Sequence, residues 1–441
     1  MKLHRLLFYL FLFTLPFQTR ILLNADQSYV SWYFDYHLAI FLYLTDIILV
    51  ACFTSWLIFD RPSFTKLVQS RLFLLCLGLV SLIIVTLFHV KHVELGWYGT
   101  FKWLEFLGII LYIRETFNET LSFKASAWIL FIGALLQAGL GWAQFHMQHM
   151  VGLGWLGEYI APLGTAGLST IETISGKVIR AYGTMPHPNI LGAFLILGLI
   201  LGLFFVSQET SDQKKAKIRH FALEGVLIVI LIGIFTSFSR MAWLASGISI
   251  ISFMGFFWLR DQKRKVGFLL FIVLVSCVTI FLLYNSSFES RIYNPDPRSV
   301  TDREFFNDKG VEIIKKFPIL GVGVGNYTVA QQDLFHMQPW QYQPPHNIFI
   351  FTAAELGVLG LGLFIMILYE IFSKLKNIFS DPLVFSLTLL GILFLALGQM
   401  DHYFVTIQQG RLMFGVVLGM LAALPNINNK SQITNDTQEL H

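Results

Sequence analysis

Long apolar runs divided by short polar connections make up most of the chain, and within the runs hydrophobic and polar positions do not alternate. Segments such as "LFLLCLGLVSLIIVTLFHV", "NILGAFLILGLILGLFFV" and "VGFLLFIVLVSCVTIFLLY" each reach the roughly 20 residues that carry a helix across a bilayer core. Without period-two alternation, strands are disfavoured and helices expected. About twelve spans are predicted, near residues 5–23, 37–59, 72–90, 95–114, 127–146, 189–207, 221–238, 241–259, 266–285, 347–372, 383–400 and 406–424. The first has a basic start but no small-residue cleavage site after it, so it reads as a retained helix.

Composition agrees with this class: 55% hydrophobic and 13% charged residues lie outside the range of soluble domains. The formal charge of +4 says less than where the charges fall. Lys2 and Arg5, then Arg61, Lys66 and Arg71, then Arg114 and Lys124, then "QKKAKIRH", "RDQKRKV" and "SKLKN" occupy every second connection. The positive-inside rule makes those connections and both termini cytoplasmic. Division follows as spans one to five (1–146), an outer loop (147–188), spans six to nine (189–285), a large extracytoplasmic loop (286–346), spans ten to twelve (347–424) and a polar cytoplasmic tail (425–441). Cys52, Cys76 and Cys277 fall inside spans, where thiols act as small apolar groups.

On the outward side arginines arrive singly: Arg180 in "KVIRAYGTMPHPNILG", Arg240 in "FTSFSRMAWLA", Arg303 in "SVTDREFFNDKG" and Arg411 in "QQGRLMFG". Each can snorkel to headgroups or pair with a carboxylate, or several can converge on phosphate oxygens with their planar forks. Arg240 sits in a hairpin with hardly any loop, which leaves its side chain the interface or the bundle interior. His346, in "QYQPPHNIFIFTAAELGVLG", stands at the start of the tenth span behind Pro344 and Pro345, with Asn347 able to cap the helix. An imidazole there can accept a proton from a hydroxyl near neutral pH, or it can be one part of a capping turn. Glu355 lies nine residues on, about 13 Å deeper and roughly opposite around the helix, so it is expected to bond a neighbouring span. Asp46, Lys102 and Glu105 are expected to pair structurally, with a proton or ion pathway as the second reading. The glycines of "FPILGVGVGNY" fit no nucleotide-binding fingerprint and suit a tight turn close to other backbone. Asp296, Asp302, Glu304 and Asp308 show no ligand spacing, so no metal is expected.

In order, "RAYGTMPHPNILGAFL", "FSRMAWLA", "DREFFNDKGVEIIKKFPILGVGVGNY" and "PPHNIFIFTAAELGVLGLGL" resemble the O-antigen ligase and polymerase superfamily of bacterial envelope glycosyltransferases. The resemblance spans roughly residues 175–411. It implies an all-α, GT-C-like, metal-independent inverting enzyme without a cofactor. Such an enzyme takes a glycan from undecaprenyl diphosphate at the outer face of the cytoplasmic membrane and passes it to lipid A core or another hydroxyl acceptor. Nucleic acid has no place in that reaction. By matching motifs, Arg240 and Arg303 hold the diphosphate, with Arg180 and Arg298 as further candidates, and His346 activates the acceptor. Asn347, Asn326, Tyr327, Asp401, His402 and Arg411 are pocket candidates. A ligase and a polymerase share this chemistry. A lipid-linked glycan transporter is the alternative from another class, but it predicts paired repeats that are not visible in the chain.

Overall fold

A computed structural model describes residues 2–60, 68–117, 121–161, 165, 167–173, 176–208, 213–293 and 298–438, with the side chains of 213–220, 285–288, 290–293, 298–300 and 425–438 outside the described set. Helices dominate: α1 (Leu3–Thr14), α2 (Leu44–Ser55), α3 (Arg71–Thr86), α4 (Val93–Thr116), α5 (Phe123–Met147), α6 (Pro188–Ser207), α7 (Gln213–Thr236), α8 (Arg240–Leu259) and α9 (Lys263–Tyr293). They are followed by α10 (Arg298–Lys316), α11 (Tyr327–Leu334), α12 (Ile348–Phe372), α13 (Pro382–Gly398), the one-turn α14 (Tyr403–Thr406) and α15 (Gln408–Gln438).

Every predicted span carries a helix. Among the described residues five of them, α5, α6, α8, α9 as far as Tyr284, and α12, are long and apolar enough to cross a membrane by length and composition, while α1, α3, α13, residues 221–236 of α7 and residues 408–424 of α15 are shorter apolar helices. The first helix falls short of the expected 5–23: it stops at Thr14, and the chain turns at Leu15 and Pro16. Proline removes a helical donor and clashes with the preceding turn. Beyond it Arg20–Leu22 (β1) pairs antiparallel with Phe41–Tyr43 (β4), Arg20 opposite Tyr43. Two further hairpins pair Tyr29–Val30 (β2) with Tyr33–Phe34 (β3) and Thr170–Thr173 (β5) with Gly176–Ile179 (β6).

At the centre stands α6, buried at every residue from Ile190 to Ser207, as a helix apolar on all sides should be. At the edge, α9 leaves Leu270, Phe271, Leu274, Phe281 and Leu282 exposed, a surface suited to lipid. Between α2, α4 and α15 lies a buried polar knot: Lys102 Nζ sits 2.7 Å from Asp46 and 3.1 Å from Glu105, and Gln408 Nε2 donates to Asp46 at 2.5 Å. Structural pairing is thus what these three charges do.

Helix α12 is broken at Gly357, where φ is +65° and ψ is −173°. The break frees carbonyls, and the glycine-rich segment fills the gap: Val322 N donates to Ala354 O and Gly323 N to Glu355 O, both at 2.9 Å, while Val358 N donates to Pro318 O at 2.8 Å. Gly321, Gly323 and Gly325 all have positive φ, which lets the segment press against other backbone. The Glu355 carboxylate accepts the backbone N–H groups of Gly325 and Tyr327. Its partner is this segment, which comes from the large loop, and not a neighbouring span as expected. The segment that docks in the break brings its own backbone donors to the carboxylate.

Candidate functional site

Three helix starts meet in one region, each closed by a side chain that accepts a backbone N–H. His187 Nδ1 caps α6 through Asn189 N at 3.1 Å, Ser239 Oγ caps α8 through Ala242 N at 3.4 Å, and Asn347 Oδ1 caps α12 through Phe349 N at 2.9 Å and Ile350 N at 3.1 Å. Pro188 at the first position of α6 suits its fixed φ. The turn after α13 brings Asp401 and His402 to the same place. The polar segment 298–316, expected as loop, is helical, and its face carries Asp302, Arg303 and Phe306 to the site while Gly310 fits beneath Pro345 and Ile350.

Asp401 is the hub. Its Oδ2 accepts from Asn189 Nδ2 at 3.0 Å and its Oδ1 from His402 N at 2.9 Å. Arg180 supports it indirectly, donating to Asn189 Oδ1 at 2.9 Å and to Ser237 O at 2.8 Å. Arg303, Asp401, Asn189 and Ser239 line a cavity of about 10 Å³, room for about one water. On the other side of Asp401, His346 stacks on Phe306 and meets the edge of His402 with 5.2 Å between ring centroids. His402 meets His37 in turn at 5.5 Å, and its Nδ1 is hydrogen-bonded to Thr406 Oγ1. His346 Nδ1 is buried and has no hydrogen-bond partner among the described residues.

Electrostatics around the hub favour neutral imidazoles about an ionised carboxylate. Burial lowers the His346 pKa, with Asp401 opposing and Arg303 assisting. Burial, and then the charge of Arg180, drives His187 down to about 3; burial and His346 take His37 to about 4; burial likewise holds His402 well below its usual value. Burial pushes the Asp401 carboxyl up, yet His402, His346, His187 and the Asn189 amide outweigh it and hold the pKa below the ordinary value.

His346, Asp401 and His402 each offer one ligand atom, all within 4.8 Å of one another. Among the described residues this is the set that could take a metal ion, although zinc with N and O ligands at about 2 Å needs them closer together. The structure therefore unites Arg303, His346, Asp401, His402 and Asn347 of the residues singled out from sequence, with Arg180 one step behind. Arg240 opens α8 directly beside the small cavity, where Ser239, Met241 and Ala242 form the wall. The side chain of Arg298 lies outside the described residues. Asn326 clasps the start of α4, accepting from His92 N at 2.8 Å and donating to His92 O at 3.1 Å. Tyr327 and Arg411 line a second, larger cavity. Sequence reasoning passed over His37, His187, Asn189 and Ser239. A signal for two of them existed: "PHPN" before α6 matches "PPHN" before α12 in grammar, with proline, histidine and asparagine at a helix start.

Residues 225–365 match the family model described as O-Antigen ligase. No curated protein matches the chain. Among solved structures, one described as "Structural coordination of polymerization and crosslinking by a peptidoglycan synthase complex" aligns with a TM-score of 0.36 and 15% identity, over 80% of this chain and 96% of that one.

Proposed function

From the O-antigen ligase domain that residues 225–365 carry, we propose that this membrane protein transfers a glycan from an undecaprenyl diphosphate carrier to an acceptor hydroxyl at the outer face of the bacterial cytoplasmic membrane. The observation that carries this reading is a buried imidazole nitrogen, on His346, without a partner among the described residues, set beside the Asp401 carboxylate and within the field of Arg303. A neutral imidazole can take the acceptor proton. The acceptor oxygen then bonds to the anomeric carbon from the face opposite the diphosphate, the glycosidic C–O bond breaks with inversion, and its electron pair leaves on the diphosphate. Arg303, with Arg240 and the capped helix starts, offsets that growing charge. Asp401 stabilises the imidazolium formed on His346. Arg180 acts through Asn189 to hold Asp401. Cations supplied by the chain make the transfer metal-independent in this mechanism. The small cavity at Arg303 holds about one water, so α10 must shift to admit a diphosphate.

Both a ligase, with lipid A core or another surface molecule as acceptor, and a polymerase, with a second lipid-linked repeat unit, fit this chemistry. The test uses protein in nanodiscs, undecaprenyl diphosphate glycan and candidate acceptors, with and without EDTA. Transfer that survives EDTA and is lost in His346→Ala and Arg303→Ala supports the reading. Full turnover by His346→Ala removes the base assignment. Substrate movement across the bilayer without transfer favours a transporter. In cells, loss of a ligase leaves long carrier-linked chains, whereas loss of a polymerase leaves single repeat units.

A further inference from the structure

Behind the histidine wall lies a second cavity, of about 80 Å³ open to the centres of water molecules. At 10–15 Å³ per water it holds roughly five to eight waters, about the space of one pyranose ring. It shares the wall with the site already described. His37 and Thr406 line it, and both touch His402, whose ring meets His346; Pro344, two residues before His346, completes that side.

The two cavities differ in composition. The small one sets Arg303 and the start of α8 against the Asp401 carboxylate. The larger one brings together Lys102 and Arg411 with Glu355, and the carboxylates of Asp46 and Glu105 lie against Lys102. Opposite signs so nearly matched favour neither a bare anion nor a bare cation. What the cavity offers is hydroxyl chemistry: Tyr36, Tyr98 and Tyr327 phenols, the Thr328 hydroxyl and the Gln408 amide, set among apolar Leu95 and Phe351. The Gln408 Oε1 atom is buried and accepts no hydrogen bond among the described residues, although its Nε2 is fully engaged with Asp46, Thr45 and Glu105. A buried acceptor in that state is costly until a donor reaches it.

We propose that this cavity is a subsite for an uncharged pyranose of the acceptor glycan, which it holds so that one hydroxyl reaches His346 from the side opposite the diphosphate. The proposal rests on the glycosyltransferase reading for its role, but the binding itself can be measured without turnover. The probes are methyl glucoside, galactoside, mannoside and N-acetylglucosaminide, followed by saturation-transfer NMR with the full chain in nanodiscs. At least one of them receives saturation from the wild type. Removing one hydrogen-bonding group in Tyr98→Phe, Thr328→Val or Gln408→Leu weakens its binding about fivefold, the effect of one lost hydrogen bond. In His346→Ala the sugar still binds, and undecaprenyl diphosphate does not displace it. In the transfer assay the same three variants raise the acceptor KM and leave the donor KM unchanged. Should Gln408→Leu fail to fold, the isosteric Tyr98→Phe and Thr328→Val decide alone. The subsite is overturned if no pyranoside binds, if all folded variants bind like the wild type, or if undecaprenyl diphosphate competes. A sugar that binds here in a protein unable to transfer leaves the subsite standing and removes the transferase reading. Intact transfer with unaltered acceptor KM in the variants removes the subsite alone.

Discussion

Replacing Gly357 by alanine tests whether the break in α12 holds the site together. At φ +65° and ψ −173° the residue occupies a region essentially restricted to glycine, at about 1–3 kcal/mol for any other residue. A Cβ there would lie 2.0 Å from Ile319 O, 2.2 Å from Ile319 C and 2.6 Å from Leu320 N, where 3.0 Å is the practical minimum. The segment around Ile319 must therefore retreat by about 1 Å, and backbone cannot turn aside as a side chain can. That retreat strains the bonds from Val322 to Ala354, from Gly323 to Glu355 and from Val358 to Pro318, each worth about 1 kcal/mol. Together, strain and lost bonds come to about 4–6 kcal/mol. Gly362, in the same helix, has nothing within 4 Å of a built Cβ, so Gly362→Ala should leave stability within about 1 kcal/mol of wild type. The assay is unfolding in mixed micelles with rising dodecyl sulfate, followed by tryptophan fluorescence, together with glycan transfer. If Gly357→Ala unfolds and turns over like Gly362→Ala, the break does not anchor the glycine-rich segment and the reasoning fails.

Three further outcomes are expected. Glycan transfer should fall on the acid side with an apparent pKa below 6.5, the value from which burial lowers His346; Arg303→Gln should move that limb upward and Asp401→Asn downward, and a pH–rate profile showing both shifts in one direction would contradict the charge assignment. His187 titrates near 3 when folded and near 6.5 when unfolded, so the unfolded chain binds more protons between those values; the histidine's stabilisation is complete above 6.5 and is lost as pH falls toward 3, at about 1.4 kcal/mol per pH unit, and unfolding midpoints at pH 7 and pH 5 should differ less in His187→Gln. Lys102→Met strands Asp46 and Glu105 in a buried knot and should cost about 3–5 kcal/mol, part of which Lys102→Met with Asp46→Asn restores, as measured by the same unfolding assay.

Much of this was legible because it is local. Apolar length placed a helix in each predicted segment, and Asn347 ahead of an apolar run is a capping signal that the structure realises at two backbone N–H groups. The end of α1 was written in Pro16, but the hydrophobicity of "LPFQTRILL" concealed it. Helix α10 has Phe306, Gly310 and Ile313 on one face, a period hidden within a strongly polar segment. What could not be read is contact across the sequence. Asn189 meets Asp401 across 212 positions, and Gly323 answers carbonyls freed by a break that one glycine among many in an apolar helix does not announce. His187 and Ser239 serve as ordinary caps; their further place beside Asp401 comes from where three helices happen to begin.

That meeting of α6, α8 and α12 gives the site a source of attraction which titration cannot remove. A helix start carries roughly half an elementary positive charge, so three of them act on an approaching anion as roughly one and a half fixed charges before any side chain is counted. No protonation erases them, and exchanging a single arginine leaves them in place. They add a fixed positive contribution to the site that alkaline pH and arginine substitutions leave in place.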